Sequence, residues 1–376
     1  ELGLSDSAEI IDISKYEYKD FNRLYKKVAN NMWNRAGKFL NIAKFYNLNY
    51  LWYSYLLNPK SLREKYNNGY WLTLYLYNDL VHFAKLKNDN ELLTELNRNY
   101  FENKFDGRAY AKFVPERMDD FAWENDKIAF RMYGPALQAS GEISNGIDVW
   151  VKNTNKLIID DWYSKADYHV DHGEGLDYYK VGPTLGAGGS ALWENSRLNK
   201  STNFVDWSII ENGPLSTSFS LEYAPREYKN TMITETKIIT LKAGSNLNKI
   251  KVNYVTTNDS IIIENVIGIV KHKGEDSGYF SVNKEKGIIS YWEPTNLEHG
   301  NTGIGIIVNP NQLNKVIETD DHYLIIMNPT NDKSLTYYTG ACWSKNKEFM
   351  NYKLWENYLQ EFHSQNSLLY KKGNNE

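Results

Sequence analysis

The feature that most constrains the fold is a two-residue period in the apolar side chains, which recurs along residues 127–339. In residues 127–133, apolar side chains at even positions alternate with Ala129, Arg131 and Tyr133 at odd positions. Side chains two positions apart on a strand point to the same face, so this pattern predicts a strand with one buried face. Similar segments lie at residues 147–152, 218–223, 232–241, 249–256, 260–270, 287–292, 303–308, 323–327 and 335–339.

Many short strands with short connections favour an antiparallel sandwich over alternating βαβ units. Ahead of them, in residues 14–103, apolar residues recur at spacings of three and four, which is typical of helices with one buried face. Residues 345–362 return to that helical spacing. We therefore predict a mainly helical region at 1–105 and a mostly β catalytic domain at 106–376, a large antiparallel β-sandwich that ends in a helix.

Charge and hydropathy exclude several classes of protein. The formal net charge is -4 and there is no basic run, which argues against a nucleic-acid-binding protein. No apolar stretch approaches the roughly 20 residues of a membrane span, so we expect no membrane insertion. The single cysteine, Cys342, cannot form an intramolecular disulfide, and we interpret it as a buried structural residue.

Aromatic residues are unusually abundant, with 29 Tyr and 11 Trp. Both side chains combine an apolar face with a polar tip, which suits a cleft that stacks on sugar rings and bonds their hydroxyls. The alternative interpretation is a compositional bias, because Asn, Lys and Ile are also frequent. We weigh the two equally.

Candidate site residues concentrate in residues 111–189, where Arg, His, carboxylates, Tyr and Trp occur among many glycines. Buried charges are costly unless paired, so a plain core segment would not need this mixture. Arg117 has the planar guanidinium that grips a carboxylate through two hydrogen bonds. The strand pattern places Arg131 and Tyr133 on one face, with Trp150 one strand away. Paired carboxylates at 119 and 120 suit a hard cation, although such pairs in loops are usually hydrated.

His169 and His172 precede Gly173 in what we predict to be a loop. General acid–base catalysis by one histidine, oriented by Asp171 or Glu174, is the favoured interpretation. A zinc site completed by Glu174 or by the aspartate at 177 is a weaker alternative, so we expect no cofactor. The glycines at 182–189 match neither a dinucleotide fingerprint nor a P-loop, and we interpret them as backbone room beside a ligand or as tight turns.

Several strings in this stretch resemble a bacterial family of unknown function with a galactose-mutarotase-like β-sandwich. The strings are Phe113-Val-Pro-Glu-Arg117, Asp119-Asp-Phe-Ala-Trp-Glu-Asn125, Ala129-Phe-Arg-Met-Tyr-Gly-Pro135, Gly146-Ile-Asp-Val-Trp150, Tyr168-His169, Asp171-His-Gly-Glu-Gly-Leu-Asp177 and Val181-Gly-Pro183. The resemblance covers residues 108–345. It implies a role in polysaccharide breakdown in a marine bacterium, and one related activity is the oligosaccharide dehydratase of ulvan degradation.

The resemblance therefore implies a hydro-lyase that removes water from a saturated glucuronate or iduronate at the non-reducing end of ulvan-type oligosaccharides. Such an elimination needs a base, an acid and a cation at the carboxylate. The residues that we expect to be catalytic are His169, His172, Tyr178, Arg131 and Arg117. The residues that we expect to bind substrate are Trp123, Glu124, Asn125, Tyr133, Trp150, Glu174, Asp177, Tyr179 and Lys180.

Other functions fit parts of the same pattern. A polysaccharide lyase shares the proton abstraction, an epimerase or mutarotase leaves the mass unchanged, and a glycoside hydrolase would need two carboxylates, such as Glu124 and Asp177. A carbohydrate-binding module would use the aromatic residues alone. We expect an acidic oligosaccharide as the partner and a periplasmic or secreted location, with the cytoplasm as the alternative; the oligomeric state is not predicted.

Overall fold

A computed structural model describes residues 107–165 and 167–366, which belong to one compact unit that begins at Gly107. The predicted helices of residues 1–105 lie outside the described residues. The strands are β1 (Ala109–Val114), β2 (Asp120–Asn125), β3 (Ala129–Met132), β4 (Asp148–Lys152), β5 (Gly175–Asp177), β6 (Ala187–Glu194), β7 (Arg197–Asn199), β8 (Phe204–Asn212), β9 (Ser216–Tyr228), β10 (Thr231–Lys242), β11 (Leu247–Thr256), β12 (Asn265–Val270), β13 (Tyr279–Asn283), β14 (Ile288–Trp292), β15 (Thr302–Ile307), β16 (Leu313–Glu318), β17 (His322–Met327) and β18 (Ser334–Trp343). The helices are α1 (Pro135–Ala139), α2 (Ile159–Ser164) and α3 (Tyr352–Asn366), with 3-10 turns at Pro115–Arg117 and Pro310–Gln312.

The strands form three sheets whose neighbouring strands all pair antiparallel. Sheet A has the order β1-β2-β3-β4-β5, sheet B the order β13-β14-β15-β18-β11-β10-β9-β8, and sheet C the order β16-β17-β12-β6-β7. One buried cluster takes side chains from all three sheets, for example Phe130, Ile239 and Ile325. The predicted mostly β antiparallel sandwich with a C-terminal helix is therefore confirmed.

Sheet A has one face in this core and a second face that is also buried. Ile128, Phe130 and Met132 enter the main core, as the two-residue period predicted. Arg131 lies on the opposite face, with its Cζ 5.4 Å from the centre of the Trp150 ring. There α2 packs its buried residues against the strands. This second face carries the candidate site.

The glycines at the start of β6 allow two sheets to pack closely. Gly188 has φ +93°, and a Cβ added to it would lie 2.0 Å from Thr339 Oγ1 on β18. Tyr337 donates its hydroxyl hydrogen to the Gly188 carbonyl at 2.8 Å. The expectation that these glycines leave room beside a ligand is wrong at this position, because a neighbouring strand occupies that space.

Other element boundaries differ from the sequence pattern. Residues 120–125, to which the sequence pattern assigned no strand, form β2, and all six are buried. The C-terminal helix begins at Tyr352 rather than at residue 345. Within the described ranges, no helix has the length and apolar character needed to span a membrane.

Candidate active site around His169

Four charged side chains form a buried cluster on the face of sheet A that α2 covers. Arg131 donates from Nε to Asp148 at 2.8 Å and from Nη2 to Asp177 at 3.0 Å. Its Nη1 lies 3.5 Å from Asp120 Oδ2, and Nη2 donates to the Tyr133 hydroxyl at 3.4 Å. All four charged residues are buried. We call Arg131, Asp120, Asp148 and Asp177 the Asp–Arg cluster.

The cluster contains three carboxyl groups and one guanidinium. Burial raises the pKa of Asp120 to about 6, although Arg131 and a hydrogen bond from the Tyr163 hydroxyl at 3.0 Å oppose this shift. Burial and the nearby Asp148 raise the pKa of Asp177 well above its usual range. Burial would lower the pKa of Arg131, but Asp148 and Asp177 hold it well above the ordinary value. The guanidinium therefore stays charged, and burial shifts Asp120 and Asp177 towards their protonated forms.

His169 lies at the edge of this cluster with a defined tautomer. Its Nδ1 is 2.8 Å from the main-chain carbonyl oxygen of Asp177 and 3.6 Å from Asp177 Oδ2. A carbonyl oxygen only accepts, so Nδ1 carries the hydrogen and Nε2 of the neutral ring keeps its lone pair. The side chain is 61% exposed. His169 is therefore an accessible base whose conjugate acid lies beside a carboxyl group.

Two less exposed histidines, the half-buried His272 and the buried His322, lack this combination. His272 donates from Nε2 to a main-chain carbonyl at 2.6 Å and faces Glu293 through Nδ1 at 2.8 Å. Burial would lower its pKa, but Glu293 raises the pKa above the ordinary value. His322 accepts the Leu185 N–H at Nε2, and burial lowers its pKa to about 4. Both are bonded structural groups.

Tyr168 connects His169 with Arg117. The Tyr168 ring centre lies 4.4 Å from that of His169 and 5.2 Å from Arg117 Cζ. Arg117 also donates from Nη2 to the Tyr163 carbonyl at 2.7 Å and is only partly buried. Behind Tyr168, the Trp150 ring stacks at 5.2 Å. An imidazole, a phenol and a guanidinium thus lie side by side; we call Arg117, Tyr168 and His169, with Asp177, the His169 site.

The other polar residues of the loop that precedes β5 contact the loop itself or its neighbours. Asp171 accepts hydrogen bonds from two glycine amides, and Glu174 pairs with Lys156 at 2.6 Å. The exposed His172 has its Nε2 3.3 Å from the Asp167 carbonyl. The expectation that Asp171 or Glu174 orients the catalytic imidazole is therefore corrected, because Asp177 contacts His169. In the part of the chain that the structure describes, no group of three or more His, Cys, Asp or Glu has metal-site geometry.

Three residues expected to contact substrate lie in the interior. Trp123 is 0% exposed and donates from Nε1 to Asn248 at 2.8 Å. Glu124 is 2.9 Å from Lys152 Nζ and accepts the first amides of α2. Asn125 bonds the carbonyls and amides of adjoining turns. As placed, none of the three reaches a bound sugar, because β2 is buried on both faces.

The other predicted site residues do not all lie on the same face of sheet A. Trp150 is buried between Trp162 and Tyr168, at ring distances of 5.8 and 5.2 Å, so it supports the site without an open face for a sugar. The Tyr178 hydroxyl lies 2.5 Å from Thr302 Oγ1, and its ring packs on the main core. Tyr179 is buried, with its hydroxyl unpaired among the described residues, and Lys180 has an exposed side chain. The structure thus unites Arg131, Tyr133, Asp177 and His169 and places Tyr178 elsewhere.

Sequence reasoning missed Tyr168, Tyr163 and Asp148 as site residues. The signal for Asp148 was present, since it lies two positions before Trp150 on a predicted strand and therefore shares its face. In the pairing of β3 with β4, Asp148 lies directly opposite Arg131. Tyr163 lies in the last turn of α2 and Tyr168 follows that helix. No strand periodicity in the sequence therefore places either residue on a face of sheet A.

Comparison with known protein families identifies the family of this chain. Residues 80–367 match the family described as "Domain of unknown function (DUF4861)". The chain belongs to this family. The match begins inside the predicted helical region and so extends further at both ends than residues 108–345. The family-level resemblance is thereby confirmed.

The chain is also similar to a bacterial relative and to solved structures. The chain is 37% identical over 276 residues to "Uncharacterized protein P7" of Formosa agariphila, a match that covers 67% of this chain and 66% of that protein. The chain therefore spans slightly less than two thirds of this relative's length. A structure titled "Putative kojibiose phosphorylase from human microbiome" has a TM-score of 0.31 and 8% identity, over 69% of this chain and 37% of that one. That TM-score is too low to support an inference.

Proposed function

We propose that this DUF4861 protein is a hydro-lyase that eliminates water from a saturated uronic acid at the non-reducing end of an acidic, ulvan-type oligosaccharide. The observation that carries the proposal is the contact of His169 Nδ1 with the Asp177 carbonyl at 2.8 Å, on a side chain that is 61% exposed. A base of this kind is what abstraction of a proton next to a carboxylate needs. The motif resemblance supplies the substrate class.

The site residues can be assigned to the three tasks of the elimination. His169 Nε2 takes the C5 hydrogen as a proton, and the C5–H electron pair forms the C4=C5 double bond. The C4–O bond breaks, and the leaving hydroxyl takes a proton from the Tyr168 hydroxyl and departs as water. Arg117 binds the uronate carboxylate, which carries the developing charge. Proton return from the imidazolium to Tyr168, through solvent, restores the starting state.

The Asp–Arg cluster acts as a positioning group in this scheme. Arg131 bonds to Asp177 at 3.0 Å, and Asp177 holds His169. Arg131 has several carboxyl partners and is buried, so it is not available to a substrate carboxylate. Arg131 therefore positions Asp177, whereas Arg117 provides the guanidinium that binds the substrate.

Two alternative functions lose support from the residue placements. A hydrolase using Glu124 and Asp177 would need exposed carboxylates, but they are 0% and 2% exposed. A carbohydrate-binding module that uses Trp123 or Trp150 would need open indole faces, and both are buried. A lyase remains the alternative that uses the same base.

Incubation with saturated uronate oligosaccharides, followed by mass spectrometry and ultraviolet absorbance, tests the proposal. Elimination predicts the loss of one water per chain together with a new conjugated chromophore. Chain shortening would instead identify a lyase or a hydrolase. An unchanged mass would identify an epimerase, and binding without turnover a binding module; each of these outcomes contradicts the proposal.

A further inference from the structure

A second concave surface lies where the end of α3 crosses the outer face of sheet B. It encloses a cavity of about 530 Å³, within the usual range of ligand pockets. Thr240, Lys249 and Tyr338 are paired neighbours on β10, β11 and β18, so they form one row across its floor. We call this cavity the α3 pocket; none of its lining residues belongs to the His169 site.

Charge in the α3 pocket favours an anion. Lys242 and Lys249 line it and are exposed. Neither makes an ion pair with another described residue, so both ammonium groups are available to a ligand. Glu361 on α3 also lines the pocket, leaving an excess of one positive charge among these three side chains. Unpaired cations that converge on a cavity are typical of an anion site.

Aromatic rings and hydroxyls complete the lining. Phe362 lies 5.1 Å from Tyr338 and 6.2 Å from Tyr358, between ring centres. The Tyr358 hydroxyl is held by the Asn246 amide at 2.8 Å. By contrast, the Tyr338 hydroxyl has no hydrogen-bond partner among the described residues. Tyr338 is only 6% exposed, so the half-buried rings of Tyr358 and Phe362, with the amide of Gln365 nearby, are the surfaces that suit a sugar.

We propose that the α3 pocket binds a uronate unit of an acidic oligosaccharide, with its carboxylate between Lys242 and Lys249 and its ring against the aromatic side chains. The choice of uronate rests on the proposed function, whereas the preference for an anionic sugar rests on the pocket. Such a site would hold a polymeric substrate on the enzyme while the His169 site processes a chain end.

Fluorescence anisotropy with a labelled 4,5-unsaturated glucuronate tetrasaccharide tests this proposal without turnover, because that probe has no water left to eliminate. The Lys242→Ala/Lys249→Ala protein should bind at least about tenfold more weakly than wild type. Lys284→Ala/Lys347→Ala is the matched control, since it removes two exposed lysines outside the pocket. Glu361→Gln should tighten binding about two- to fivefold, as removal of a nearby like charge predicts.

Circular dichroism establishes that each variant is folded. If both double lysine variants lose the same binding affinity, the effect depends only on net charge, which would contradict the proposed site. A wild-type protein that does not bind the probe would also contradict it. Because binding is measured on a product-like probe, a failure of the pocket leaves the elimination assay unaffected. Conversely, an absence of elimination leaves the binding comparison valid.

Discussion

At the scale of single residues, the titration of Asp120 should be visible in the stability of the fold. Its pKa is about 6 in the fold against 3.8 ordinarily, so the folded state binds this proton more tightly. The corresponding stability is present below pH 4 and is lost as the pH rises through about 6; it amounts to about 3 kcal/mol at most. Asp120→Asn should therefore be about 1–3 kcal/mol more stable than wild type at pH 7 and equal to it at pH 4.

Urea unfolding at several values between pH 4 and 7 measures this difference. The substituted amide oxygen can still accept the Tyr163 hydrogen bond. Asp206→Asn, which changes an exposed aspartate, is the matched control. Parallel stability curves for wild type and Asp120→Asn would show that Asp120 does not hold the proton.

Lys152 and Glu124 form the second charged group on the inner face of α2. Both side chains are 0% exposed, and Nζ lies 2.9 Å from Oε2. Lys152→Met should cost about 3–5 kcal/mol, because it leaves a buried carboxylate unpaired. Adding Glu124→Gln should recover most of that loss, since the amide oxygen can still accept from the start of α2. Denaturant unfolding of both variants checks this; a double variant no more stable than the single one would contradict it.

At the scale of elements, the contact between β6 and β18 depends on the lack of a side chain at Gly188. Gly188→Ala combines φ +93° with a Cβ 2.0 Å from Thr339 Oγ1, and should cost at least about 3 kcal/mol or prevent folding. Gly141→Ala has φ +97° but no neighbouring atom within 4 Å, and should cost only about 1 kcal/mol. Thermal unfolding compares them, and equal losses would mean that backbone strain alone matters.

Strand periodicity predicted the face assignments within sheet A but did not identify β2, which carries Asp120 and Glu124. Arg131 and Trp150 could be placed on one face because alternation is a local property. The sequence pattern assigned no strand to residues 120–125, whose partners come from distant parts of the chain. Asn248 bonds Trp123, and Lys152 bonds Glu124. No local pattern in the sequence indicates such long-range pairing.

At the scale of the whole molecule, composition and periodicity predicted an antiparallel sandwich, and the three sheets share one apolar core. The stretch that holds the candidate site was also identifiable, because it concentrates Arg, His and carboxylates. The partner of His169 was not, since its bond to the Asp177 carbonyl depends on how the loop folds back onto β5. Tyr178 was grouped with His169 by proximity in sequence, but it follows β5 directly and its side chain lies on the opposite face.

The most direct test of the account is a comparison of kcat for His169→Ala and His172→Ala on a saturated uronate oligosaccharide. His169→Ala should lower kcat by about 10²–10⁴, the usual contribution of a general base, with the fold intact. His172→Ala should stay within about threefold of wild type, because its ring lies on the exposed loop against the Asp167 carbonyl. Full kcat in His169→Ala, or a loss confined to His172→Ala, would contradict the assignment of His169 as the base.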